Sequence, residues 1–226
     1  MIRDIIILAR KDLLLEFRKK ETIYSMGLFT LASILIFSGL LNFISTALEI
    51  KYSISVASML FIITFSIMLG LTSIFSREIK KNSIYQLLSL SIKPQVIFLS
   101  KLVYLGIMIG IIEILTFILA IIFLRINFQG NVLIFLVVLT IGTLDLTIAG
   151  CIVAFLTLYA KSKTLAIPIL FFPLVLPSIL IETQVTLNIL FMYNLESIIT
   201  NTLILFFHAI LILVFSLLVT EELINE

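Results

Sequence analysis

Two carboxylates and one imidazole stand where water is scarce. Glu113 and Asp145 lie near the centres of two long apolar runs, and His208, the only histidine, lies in another. An Asp at the middle of a bilayer costs about 3 kcal/mol on insertion scales, so such a group faces a bundle interior or holds a partner. Two chemistries fit the pair. If the two runs are consecutive antiparallel helices, the carboxylates share a depth and form a proton or cation site, as an ion-coupled secondary carrier would need. Alternatively each is protonated and bonded to hydroxyls such as Thr140 or Thr147, as glue between helices. His208 has the same two options: a ligand facing a cavity, or a ring bonded to nearby backbone or hydroxyl.

Other chemistries lack their residues. Cys151 is the only cysteine, so no internal disulfide forms, and no Cys or His cluster offers a metal site. There is no G-x-S-x-G turn and no G-x-x-x-x-G-K-[ST] phosphate loop. An intramembrane enzyme is therefore not expected, and the chain has no nucleotide site of that kind.

The composition says what must position these groups. The chain has 226 residues, 62% of them hydrophobic and 12% charged, against roughly 25% charged in ordinary soluble domains. Its 15 Lys and Arg and 13 Asp and Glu are too few to clothe a soluble domain. It reads as an all-α, multi-pass membrane protein with no nucleic-acid surface. A span needs about 20 apolar residues. Six runs serve, over Ile23–Leu48, Ile54–Phe75, Val96–Leu124, Val132–Tyr159, Thr164–Ile181 and Thr202–Val219. No ten-residue alternation of barrel type occurs. The first run is longer than a signal-peptide core of roughly 7–15 residues and is expected to remain as a helix.

Positive charge sets the direction. With a cytoplasmic N-terminus, Arg3, Arg10, Lys11, Arg18, Lys19 and Lys20 lie inside. So do Arg77, Lys80, Lys81, Lys93 and Lys101, and then Lys161 and Lys163. Only Lys51 and Arg125 fall outside, so both termini are expected in the cytoplasm. The outer loops are expected near Glu49–Ser53, Arg125–Asn131 and Glu182–Asn201. In the last, TLNILFMY (Thr186–Tyr193) is expected as a short surface helix, although it could instead lengthen a span. No internal repeat is evident, which weighs against a carrier.

Two polar segments flank the spans. Residues 1–22 carry an apolar stripe at Ile2, Ile5, Ile6, Ala9, Leu13 and Phe17, spaced as one helix face. With basic residues around it, an amphipathic helix lying on the lipid surface is expected. Between the second and third spans, SREIKKNSIYQLLSLSIKP (Ser76–Pro94) is too polar to cross and too regular for a linker. Ile79, Leu87, Leu88 and Leu90 can pack while Arg77, Glu78, Lys80, Lys81 and Gln86 stay wet. Pro94 is expected to end this helix and to hold Lys93 extended. A docking role for a protein partner is expected. In the fifth run Pro168, Pro173 and Pro177 each remove a backbone donor, giving a hinge, a re-entrant turn or a fixed kink.

The stretch FSREIKKNSIYQLLSLSIKPQVIFLSK from Phe75 resembles the cytoplasmic coupling loop of type-2 ABC transporter permeases. The segment IGTLDLTIAGCIVAFLTLYAKSKTLAIPILFFPLVLPSIL from Ile141 adds Gly142, Thr143, Gly150 and prolines four apart at Pro173 and Pro177. Over about residues 3–220 the chain resembles the CcmB-like haem exporter permeases of the cytochrome c maturation system. Asn82 stands where that family usually has Gly, Tyr85 where it has an acidic residue, and no Gly follows Pro177.

The resemblance implies a single permease domain over 1–226, with an interfacial helix over 1–22 and a six-span bundle over 23–220. It implies a separate ABC ATPase chain that holds the ATP and docks on the loop, through Arg77, Glu78, Lys80, Lys81, Gln86, Leu87, Leu88 and Pro94. It further implies a second permease copy or related permease, other cytochrome c maturation membrane proteins as partners, and a prokaryotic cytoplasmic membrane. Haem or a haem-handling intermediate is the implied cargo; another hydrophobic substrate is the alternative. The chain has no Trp, so the Trp-rich haem motif of that pathway is missing. His208 has no paired Met or second His as a haem ligand set. The protein reads as a mover of cargo with no bound cofactor of its own.

Overall fold

The computed structural model describes residues 2–43, 48–80, 93–126, 130–157, 163–191 and 195–225, with side chains for all of these except 48–49, 72–80, 163–165 and 221–225. Seven helices and no strand occur among the described residues. They are α1 (Ile2–Lys19), α2 (Glu21–Phe43), α3 (Leu48–Lys80), α4 (Pro94–Phe123), α5 (Val132–Leu156), α6 (Lys163–Leu190) and α7 (Leu195–Asn225). Six of them, α2 to α7, are long and apolar enough to cross a membrane. A helix satisfies all its backbone groups within one segment, which is what the hydrocarbon layer demands.

Helix α5 is the centre of the bundle. From Asp145 to Phe155 every residue is buried, the pattern of a helix enclosed on all sides. It packs on α4, α6, α7 and α3, while α3 also meets α2, α4 and α6. Gly150 permits the close approach of α3: a β-carbon there would lie 2.6 Å from Leu71 Cδ1 and 3.3 Å from Ile67 Cγ2. Small residues at such crossings let backbones approach within membranes. Helices α2 and α7 are outermost, with Leu28, Ile36, Phe207, Leu211 and Leu218 exposed as a lipid-facing surface would be.

The helix ends depart from the expected spans. α3 begins at Leu48, so Glu49–Ser53 is helical rather than a loop, and α6 runs to Leu190. Residues 186–190 therefore lengthen a span instead of forming a separate surface helix. Pro168, Pro173 and Pro177 all lie inside α6, which is continuous, so no re-entrant turn forms there. Pro173 and Pro177 sit on its exposed side, where a missing donor disturbs no interhelical contact. Pro94 opens a helix, at the first turn of α4, after a Lys93 that is extended as expected (φ −61°, ψ 137°); a helix ending before it would lie outside the described residues. Proline is favoured there because the first-turn amide lacks an intrahelical acceptor.

Helix α1 packs mainly on α4, and the stripe divides between core and surface, with Ile5 and Leu13 half-buried. Ile2, Ile6 and Phe17 are exposed, whereas Ala9 and Glu16 are buried. The corner into α2 is made by Lys20, a non-glycine residue at φ 58°. The Glu16 side chain accepts a hydrogen bond from Thr22 N at 2.9 Å, capping one of the free amides at the start of α2.

Of the coupling-loop residues, Lys81, Gln86, Leu87 and Leu88 lie outside the described residues. Arg77, Glu78 and Lys80 lie on the last turns of α3, with backbone alone described.

Candidate functional site

Four helices bring polar groups to one place beside α5. Asp145, fully buried, accepts at Oδ2 from Ser178 Oγ of α6 and from His208 Nδ1 of α7, the latter at 2.8 Å. Ser178 Oγ and His208 Nδ1 are themselves 3.1 Å apart. The three form a closed ring on one ring nitrogen. This is not the nucleophilic relay of a hydrolase, in which serine and carboxylate occupy opposite nitrogens of the imidazole.

Glu113 reaches the same region from α4. It is buried and hydrogen-bonded to Thr143 of α5, whose hydroxyl also donates to Leu139 O at 2.5 Å. From α6 comes Glu182, also buried and close enough to Glu113 and Asp145 to couple electrostatically with both. Gly142 makes room for it, since a β-carbon at that position would overlap the Glu182 carboxylate. The stripe Ser178–Glu182–Thr186, spaced by four residues, thus lines the face of α6 turned toward α5.

Sequence reasoning paired Glu113 with Asp145 and set His208 apart, whereas the structure joins Asp145 directly to His208. The expected hydroxyl partners differ. Thr140 and Thr147 bond to carbonyls of their own helix, Val137 O and Thr143 O. Ser178 and Thr143 take the role instead. Glu182 was missed because it was assigned to an outer loop. The four-residue polar period in α6 was the available signal.

Three oxygens of this cluster, Asp145 Oδ1, Glu182 Oε2 and Thr186 Oγ1, have no hydrogen-bond partner among the described residues. No group of three His, Cys, Asp or Glu among the described residues could hold a metal ion. His208 Nδ1 is committed to Asp145, which leaves only Nε2 for any other contact.

A second polar constellation clasps α1 to α4. Lys101 Nζ donates to Asp12 Oδ2 at 2.7 Å, and Tyr104 Oη donates to Glu16 Oε2 at 3.3 Å. Lys101 is buried, although by sequence it marked only the positive edge of a span.

No curated protein and no solved structure matches the chain. A family model described as CcmB protein matches residues 3–221. That range takes in α1, all six apolar helices and the buried polar cluster. The chain belongs to the CcmB family, the haem exporter permeases of cytochrome c maturation.

Proposed function

We propose that this chain is the membrane-spanning half of an ABC-type exporter, driven by ATP hydrolysis on a separate subunit. The observation that carries the reading is the family match across residues 3–221 on a chain with six apolar helices. Supporting it, the sequence has no phosphate loop of its own. Export of haem, or release of a haem-carrying intermediate, is the proposed work. The proposed partners are an ATPase chain on the cytoplasmic side, a second permease copy or a related permease, and further membrane proteins of the same pathway.

The proposed setting is the prokaryotic cytoplasmic membrane with both termini inside, as the skew of Lys and Arg supports. The proposed docking element is the segment around Arg77, Glu78, Lys80, Lys81, Gln86, Leu87, Leu88 and Pro94. Pro168, Pro173 and Pro177 are proposed as hinge points of α6. Replacing each by Ala should then impair transport while leaving thermal stability unchanged or higher.

Purification from the native membrane tests the main reading. A stoichiometric ATPase chain should accompany the protein and be lost on combining Glu78→Ala, Leu87→Ala and Leu88→Ala. Recovery without any ATPase would overturn it. So would tagging of Lys80 or Lys81 on intact cells by an amine reagent that cannot cross the membrane.

The buried carboxylates favour a second reading, an ion-coupled carrier. It requires the purified chain alone to move solute down a proton gradient.

A further inference from the structure

We infer that the Glu113–Asp145–Glu182 cluster is a proton-binding site inside the membrane, with His208 as its connection to the protein surface. Charge balance leads there first. Three carboxylates from α4, α5 and α6 converge, each at most 6% exposed. Helices α5 and α7 contain no Lys or Arg, and α6 has only Lys163 at its first residue. The cations nearest Glu113 along the chain are Lys101 and Arg125, each twelve residues away; Lys101, about 18 Å along α4, is paired with Asp12, and Arg125 lies beyond the end of α4. The middle of α3, Val56–Leu71, has no titratable side chain. Uncompensated buried carboxylates are each worth several kcal/mol of desolvation. His208 can balance Asp145 alone, so Glu113 and Glu182 need another positive species.

Hydrogen bonding identifies it. Thr143 has one hydroxyl proton and gives it to Leu139 O. Shared between Leu139 O and Glu113, that single proton cannot offset a buried negative charge, which a proton on the carboxyl group removes. Around Glu182 the unpartnered buried oxygens are Glu182 Oε2, Asp145 Oδ1 and, one turn along α6, Thr186 Oγ1. Buried polar atoms almost always find a partner, and a protonated Glu182 together with a trapped water gives the carboxylate oxygens donors and the Thr186 hydroxyl an acceptor. A metal ion fits less well, because no three His, Cys, Asp or Glu among the described residues are placed to ligate one. Of the four ionisable members, only His208 reaches the surface appreciably, its side chain being 24% exposed. Its imidazole is hydrogen-bonded to Asp145 through Nδ1, and its second ring nitrogen gives a proton a route between that surface and the cluster. Such a site could serve whatever cargo is moved and whatever powers the movement.

Infrared spectroscopy of the purified wild-type protein in detergent tests it. At neutral pH a protonated-carboxyl band should be present, shift down in D2O, and lose intensity in both Glu113→Gln and Glu182→Gln. The shift in D2O should be slower in His208→Phe. Dicyclohexylcarbodiimide, which attacks protonated carboxyls in apolar surroundings, should label Glu113 or Glu182 in the wild-type chain, read by mass spectrometry. This second measurement needs no variant. A wild-type spectrum without any protonated-carboxyl band would overturn the proposal, as would a band that never shifts in D2O. Loss of the band and of labelling when sodium replaces choline at constant ionic strength would make it a metal-cation site instead, and would overturn it equally.

Discussion

Lys101 Nζ and Asp12 Oδ2 meet at 2.7 Å, and through this contact a helix outside the six-span bundle is fastened to the third span. Both side chains are largely shielded from solvent, at 3% and 13% exposure. Removing one partner of such a pair leaves an uncompensated charge, whereas replacing both by apolar groups is often neutral. Asp12→Leu alone should therefore cost about 3 kcal/mol, while Asp12→Leu with Lys101→Met should recover most of it. Thermal unfolding of the four proteins in one detergent checks this as a double-mutant cycle.

Gly142 and Glu182 form a matched pair of absence and presence. Gly142→Ala places a methyl group into the carboxylate, and overpacking of this kind costs about 1–3 kcal/mol. Glu182→Ala removes the obstruction. The double variant should therefore be less damaged than the sum of its singles, because alanine at both positions fits. Equal, additive losses in a thermal-shift series would contradict this packing.

Lys20 holds φ 58° between α1 and α2. The left-handed conformation disfavours residues with a β-carbon by about 1 kcal/mol or more, and glycine adopts it freely. Lys20→Gly should raise the melting temperature by a few degrees. Lys20→Val should lower it, since a branched β-carbon suits that conformation least.

Gly150 lies under Leu71 and Ile67 of α3 and beside Phe171 of α6. Gly150→Leu should separate α5 from α3 and cost about 3 kcal/mol or more. Leu71→Ala should partly rescue it, because the nearest obstructing atom is Leu71 Cδ1. Cross-linking yield between cysteines placed on α3 and α5 would report the separation.

The six apolar helices were legible because hydrocarbon-spanning composition is a coarse, strong signal, and the structure contains all six. Their ends were not. Glu182 and Ser76 look like boundaries when charge and polarity mark the edge of a span. Yet backbone hydrogen bonding carries α6 on to Leu190 and α3 on to Lys80. Prolines misled in the same direction: three within α6 suggested a break, yet they leave it continuous, two of them on its exposed side. Asp145 and His208 were each recognisable as unusual, but their pairing spans 63 positions in sequence, and one chain gives no hint of such distant contacts. Glu16 was hidden because a stripe drawn through Ile2, Ile6 and Phe17 assigns the charged residues of α1 to water. In the fold, the Glu16 carboxylate faces α4 and the start of α2.

Helix α3 has a property that its apolar length alone would not suggest. Its apolar run ends at Phe75 while the same helix goes on to Lys80, projecting about 8 Å further. An unbroken α-helix acts as a stiff spar, so a displacement applied at its tip is not absorbed by a slack joint. It arrives as tilt at Ile67 and Leu71, the residues seated against Gly150.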